Sequence, residues 1–305
     1  MQKEITSVSQ YLDIIHKLDR AYAKDGGLNN PVSSKFLYRG MAHQSWPLLP
    51  GIFREIGERY EGWEENTRKY LTFSTEQRIL QHFKQEAAAY VPQSRIDSEL
   101  WWVELAQHYG VPTRLLDWSE NPLVALYFAC EMNSREEPAV VWVLNRLNYN
   151  RYVIEQDEAY RFIEDEVSRR ETISNLLGFA PCENGACRIS PLQLPFLYSP
   201  YLFDDRMSAQ SSWFMVWGND TRPFQQMIGR ENYMRLPEDQ DPGDANAYDD
   251  FIYQFVIPVE AKQQMVRELD LLGVNGKSLF PGLDGVGKHI ERIYRFDYQK
   301  NLSGY

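Results

Sequence analysis

The stretch Gln107-His-Tyr-Gly-Val-Pro-Thr-Arg-Leu-Leu-Asp-Trp-Ser-Glu-Asn-Pro-Leu-Val-Ala-Leu-Tyr-Phe-Ala129 decides how this 305-residue chain is read. Asn121 is a helix cap, and Pro122 stands at the first helical position, where its missing N–H costs nothing. The run that follows, Leu123–Cys130, is apolar on every face, which predicts a helix buried on all sides. Before it, the chain reads as a polar connection dropping into that helix. Arg114, Asp117, Trp118 and Ser119 therefore lie beside the core on backbone that the helix holds rigid. Arg114 and Asp117 either pair as a buried structural bridge or face a ligand, and the residues alone leave both readings open. His108 ends a helix predicted over Ser98–Tyr109 with Ser98 as cap. It either merely interacts with the helix C-terminus or takes a functional role.

Working outward, Phe36–Gly40 is a short strand that ends on Arg39 and Gly40. A glycine there lets backbone or ligand approach closely, and a planar guanidinium at a strand end can grip a phosphate. Helices are predicted over Ser7–Tyr22, capped by Thr6 or Ser7, and from about Thr67 to Tyr90. Met41–Glu58, with Pro47, Pro50 and Gly51, reads as irregular. Downstream, Ala139–Leu144, Ser211–Gly218 and Phe251–Ile257 read as strands, and a short strand falls within Pro181–Pro200. Residues 150–180 read as a charged helix and Pro237–Asp250 as an acidic loop, with further helices near Ala261–Leu272 and Val286–Tyr294. This irregular interspersion lacks the steady alternation of a doubly wound sheet and predicts an α+β fold. Residues 1–30 form an N-terminal helix and linker in this reading. Residues 31–300 form one α+β domain with a helical insertion around 150–180.

Composition excludes several classes. Apolar residues make up 43% of the chain, as in folded proteins. The net charge of −11 argues against a broad nucleic-acid-coating surface, while leaving room for a local basic groove. Leu123–Cys130 falls far short of the ~20 apolar residues of a membrane helix. The first residues lack a signal-peptide core, and three cysteines cannot build a disulfide framework. A cytoplasmic protein with no membrane association is expected. Cys182 and Cys187 have no second pair, so no metal is expected. Gly282–His289 carries the G-x-x-x-x-G-K spacing of a phosphate loop. His289 replaces the magnesium-binding hydroxyl, however, and no clear strand precedes it, so a glycine-rich turn capping the last helix is the expectation.

Tyr38-Arg39-Gly40 and the Gln107–Ala129 segment together resemble the FRG domain, a bacterial family named for its Phe/Tyr-Arg-Gly motif. Asp205–Phe214, in which Gln210 follows Arg206 by four residues and precedes a strand, looks like the family's third block. Leu272–Asp284 is similar to its C-terminal signature. Where the family tends to carry Gln-Gly, this chain has Gln210-Ser211. The order of blocks resembles that of ADP-ribosyltransferases: an Arg on an early strand, a polar turn entering a helix, and a Gln or Glu on a later strand. The resemblance implies an ADP-ribosyltransferase-like mixed sheet with surrounding helices, and NAD as substrate. It implies a binding site of Tyr38, Arg39, Gly40, His108, Arg114, Asp117, Trp118 and Ser119, with Arg39 on the pyrophosphate or ribose and Trp118 and Ser119 lining the nicotinamide pocket. Arg39 and Gln210 would hold the catalytic positions, although Gln cannot act as a general base. The implied function is NAD-dependent ADP-ribosyl transfer to a macromolecule, DNA or RNA among the acceptors, in a toxin or phage-defence role that admits a neutralising protein partner. The alternative is a non-catalytic nucleotide- or partner-binding module. The discriminating observation is whether Arg39, Ser119 and Gln210 converge on one cleft.

Overall fold

The computed structural model describes residues 2–22, 35–91, 98–131, 137–156, 170–171, 173, 193–234 and 250–302. Its centre is a seven-stranded mixed sheet of β1 (Gln2–Glu4), β2 (Phe36–Met41), β3 (Leu115–Ser119), β4 (Ala139–Asn145), β5 (Phe196–Tyr198), β6 (Ser212–Val216) and β7 (Ile252–Ile257). The spatial order is β1-β7-β4-β2-β3-β6-β5, antiparallel throughout except for the β1–β7 pair. β2, which carries Arg39, is thus the middle strand. The α+β expectation holds.

Both faces of the sheet are covered, and the strand alternation shows it. In β4, Val140, Trp142 and Leu144 join one core while Ala139, Val141 and Val143 join the other, so all seven residues are buried. The first core is closed by α2 (Glu65–Ala87), α3 (Glu99–His108) and α5 (Arg146–Gln156); the second by α1 (Val8–Tyr22), α4 (Pro122–Glu131) and the helix Val259–Leu271. α1 buries Tyr11, Ile14, Ile15 and Leu18 in the second core, and β1 pairs with β7, so residues 2–22 are joined to the sheet and core of the rest.

Local chemistry sets the ends of these elements. Ser7 Oγ accepts from the Gln10 N–H at 3.2 Å, and Ser98 Oγ from the Trp101 N–H at 3.2 Å. Asn121 Oδ1 accepts from the Leu123 N–H at 2.9 Å and starts α4, as the sequence predicts. Gly40 answers a packing need. A Cβ there would lie 1.8 Å from the Ala125 carbonyl oxygen and 2.7 Å from the Ala129 nitrogen, so α4 rides directly on the backbone of β2.

Three expectations are corrected. Leu115–Ser119, read as a polar connection, is a strand pairing with β6 over its whole length. Leu115 and Leu116 are adjacent and both buried because β3 is covered on both faces, which erases the alternation that marks a half-buried strand. Met41–Glu58, read as irregular, contains a π-helical turn, Ile52–Gly57, that buries Ile52, Phe53 and Ile56. Of the G-x-x-x-x-G-K stretch, Gly282, at φ 111°, stands just before the last helix as expected, but the rest is not a turn: Leu283–Leu302 is one helix, with Gly285 and Gly287 inside it and a short helix, Gly276–Leu279, ahead of it. A Cβ at Gly285 would meet the Phe280 carbonyl at 1.8 Å, so this glycine serves helix packing. The linker Asp25–Pro31, most of the 150–180 insertion, the cysteines Cys182 and Cys187, and the acidic loop up to residue 249 lie outside the described residues.

Candidate ligand-binding cleft

A cleft of about 360 Å³ opens beside the end of β2, between β3, the start of α4, the end of α3 and the turn that precedes β6. Tyr38, Arg39, Gly40, His108, Asp117, Trp118, Ser119 and Gln210 all line it. Residues from three separate sequence blocks thus converge, and Arg39, Ser119 and Gln210 share one cleft. Arg114 does not join them. Its guanidinium is 1% exposed and bonded to Glu76 of α2, with Nε donating at 2.9 and 3.1 Å to the two carboxylate oxygens and Nη2 closer still. The Arg114 backbone N–H adds a bond of 3.1 Å to the same carboxylate, and the guanidinium lies 4.6 Å from the centre of the Phe73 ring. The buried bridge therefore exists, with Glu76 as partner in place of Asp117, and Arg114 leaves the set of ligand-binding candidates.

Asp117 is 57% exposed. Its Oδ2 accepts from Gln107 Nε2 at 2.8 Å and lies 3.8 Å from Arg39 Nη1, and its backbone oxygen accepts from that Nη1 at 2.5 Å. Burial lowers the Arg39 guanidinium to about 10, with Asp117 opposing the shift and Arg54 adding to it. Arg39 Nε is buried with no partner among the described residues, as is Nε1 of Trp118, which is 3% exposed. Two donors at one cleft without acceptors are unusual in a folded interior. Both are of the kind an anionic or polar ligand satisfies.

Ser119 and Gln210 lock the turn in front of β6. Ser119 Oγ donates to the Gln210 carbonyl at 2.6 Å, and Gln210 Nε2 donates to the Leu279 carbonyl at 3.0 Å. Gln210 caps the helix Asp205–Ala209 one residue short of Ser211, so it sits before β6 and not on it. Ser211 has φ 48°, the left-handed region that glycine occupies at ease. A glycine would hold this backbone without strain; Ser211 holds it with a side chain attached.

His108 packs edge-on against Tyr109 and Phe203 and lies 3.6 Å from Asp204 Oδ1. Burial is the main cause that lowers its affinity for a proton, with Asp204 opposing. The sequence reading missed Trp46 and Arg54, which also line the cleft. Trp46 follows β2 by five residues beside a proline and carried a readable signal as an aromatic near a strand end. Arg54 had none, because only the π-helical turn brings it round. Among the described residues no cluster of His, Cys, Asp and Glu is arranged to hold a metal ion, and no helix is long and apolar enough to cross a membrane.

The FRG domain family matches residues 34–138, which contain β2, β3 and α4 with the Tyr38-Arg39-Gly40 and Gln107–Ala129 blocks, and ends before the turn at Gln210. No curated protein and no solved structure matches the chain.

Proposed function

We propose that this chain, which carries an FRG domain over residues 34–138, binds NAD in the cleft around Arg39 and transfers its ADP-ribosyl group to a macromolecule, with DNA or RNA among the acceptors. The observation that carries the reading is the convergence of Arg39, Trp118, Ser119 and Gln210 on one cleft from distant parts of the chain. In this reading Arg39 grips the pyrophosphate through its planar fork. Trp118 and Tyr38 supply aromatic walls for the nicotinamide end. The chemistry in this reading is mostly positional. NAD is held so that the bond to nicotinamide breaks while the cleft stabilises an oxocarbenium-like ribose and presents the acceptor.

Gln210 has no basic form, so it acts by hydrogen bonding. Asp117 and Glu131 are the carboxylates that line the cleft, and Asp117, exposed beside Arg39, is the better placed to receive a proton. A second reading, a nucleotide-binding module without turnover, is favoured by one contact: the Gln210 amide is already engaged by the Leu279 carbonyl. Nicotinamide release, followed with protein, DNA and RNA acceptors, separates the two. Turnover that falls by about 10²–10³-fold in Gln210→Ala, with NAD affinity little changed, supports transfer. NAD binding without nicotinamide release in the wild type leaves the module reading.

A further inference from the structure

Arg54 lines the cleft and lies within the matched residues 34–138, but belongs to none of the motifs read from the sequence. The π-helical turn that carries it is fixed at its start: the Ile52 N–H donates to the Thr113 carbonyl at 3.2 Å, and the Arg54 N–H to the Pro50 carbonyl at 3.2 Å. Ile52 and Phe53 are buried beneath it. Such wide turns recur at functional sites, because they rotate one side chain out of the ordinary helical register. Here the rotated side chain is a half-buried guanidinium lining the same cleft as Arg39. Among the described residues Arg54 makes no side-chain hydrogen bond or ion pair, and its Nε is buried without a partner.

A half-buried cation with no carboxylate partner is costly to keep, and more so beside a second one. Among the described residues Arg39 has Asp117 as its one carboxylate partner, and that carboxylate is also held by Gln107. Burial is the main cause that lowers the proton affinity of Arg39, and the positive charge of Arg54 adds to it. In a chain of net charge −11, the three guanidiniums that line this cleft, Arg39, Arg54 and Arg206, are a local concentration of positive charge; Arg206 lies over the Phe280 ring at 4.8 Å, whereas Arg39 and Arg54 each keep a buried Nε without a partner among the described residues. Arg39 and Arg54 line one cleft, each with a buried Nε that has no partner among the described residues, and an anion that presents acceptors to both satisfies them together.

We propose that Arg54 and Arg39 together form a seat for a diphosphate, one guanidinium for each of two linked phosphoryl groups, and that Arg54 is the residue that selects diphosphates over single phosphates. The inference rests on the NAD reading for the identity of the whole ligand, but the diphosphate seat is testable without it.

The experiment is calorimetric titration of inorganic pyrophosphate, inorganic phosphate and NAD into the full chain at constant ionic strength, for the wild type and Arg54→Gln. Pyrophosphate is expected to bind the wild type at least about tenfold more tightly than phosphate, and Arg54→Gln to remove that preference at unchanged Tm. If Arg54→Gln melts early, Arg54→Lys replaces it, since lysine keeps charge and stem but offers no fork, and the preference is expected to shrink in the same direction. Equal affinity of the wild type for the two anions, or a preference that survives a stably folded Arg54 variant, overturns the inference. NAD separates the two claims. Arg54-dependent pyrophosphate selectivity without NAD binding keeps the seat and removes the proposed function. NAD binding that is indifferent to Arg54 does the reverse.

Discussion

Replacing Glu76 by Leu tests which buried pair holds the sheet to α2. Arg114 is 1% exposed and directs both Nε and Nη2, as well as its backbone N–H, at the Glu76 carboxylate. Glu76→Leu removes all of these acceptors while leaving the guanidinium inside the protein against Phe73. Breaking a buried pair from one side costs about 3–5 kcal/mol, because the surviving charge keeps its desolvation penalty without its partner. With about 2–4 °C of Tm per kcal/mol for domains of 150–250 residues, the fall is on the order of 10 °C. Asp117→Ala is the contrast: its carboxylate is 57% exposed, so its loss is expected to cost no more than about 1 kcal/mol. The double variant Glu76→Leu/Arg114→Met, which removes both charges, is expected to regain most of the lost stability. Calorimetric melting of the four proteins gives the answer. A Glu76→Leu protein as stable as the wild type, or an Asp117→Ala protein that falls as far, would refute the assignment.

Gly40→Ala forces a Cβ to 1.8 Å from the Ala125 carbonyl oxygen, where no side chain can rotate aside, so α4 must lift from β2. A loss of about 3 kcal/mol or more in chemical denaturation is expected, and a neutral result contradicts the close packing. Ser211→Gly relieves a side chain held at φ 48° and is expected to be neutral or stabilising by up to about 1 kcal/mol, whereas Ser211→Val should destabilise clearly; Tm values in the opposite order contradict the turn. Burial holds the folded-state pKa of His108 below its ordinary 6.5, so the unfolded chain binds more protons as pH falls. The stabilising contribution is complete above 6.5 and is lost as pH drops through the folded value, so His108→Gln should flatten the decline of Tm with pH below 6.5. An equal decline in the two proteins removes His108 as its source.

Much of this site was legible in order along the chain. The Asn121-Pro122 cap, the wholly apolar helix behind it and the Tyr38-Arg39-Gly40 strand end are local signals, and each element forms where those signals place it. The partner of Arg114 is not legible in the sequence, because a charged residue directly before an apolar pair reads the same whether its partner is Asp117, three residues on, or Glu76, thirty-eight residues back. Burial of an ion pair is a tertiary fact. β3 escaped because a five-residue strand covered on both faces has neither the length nor the alternation that marks a strand. Arg54 escaped for a related reason: Pro47, Pro50 and Gly51 point to irregular chain, and the π-turn between them depends on the Thr113 carbonyl that receives its first N–H. The conformation of Ser211, a non-glycine residue at φ 48°, has no signal in the sequence around it.

The central claim, that this cleft grips NAD through Arg39, is tested most directly by calorimetric titration of NAD into the wild type and Arg39→Lys. Arg39 Nε is buried without a partner, and Nη1 contacts only the Asp117 backbone oxygen and side chain among the described residues. Lysine keeps the charge but cannot present two donors in one plane. The account predicts saturable NAD binding to the wild type and an affinity lower by about tenfold or more in Arg39→Lys, with both proteins melting at the same temperature. Equal affinity in two folded proteins, or no NAD binding to the wild type, contradicts it.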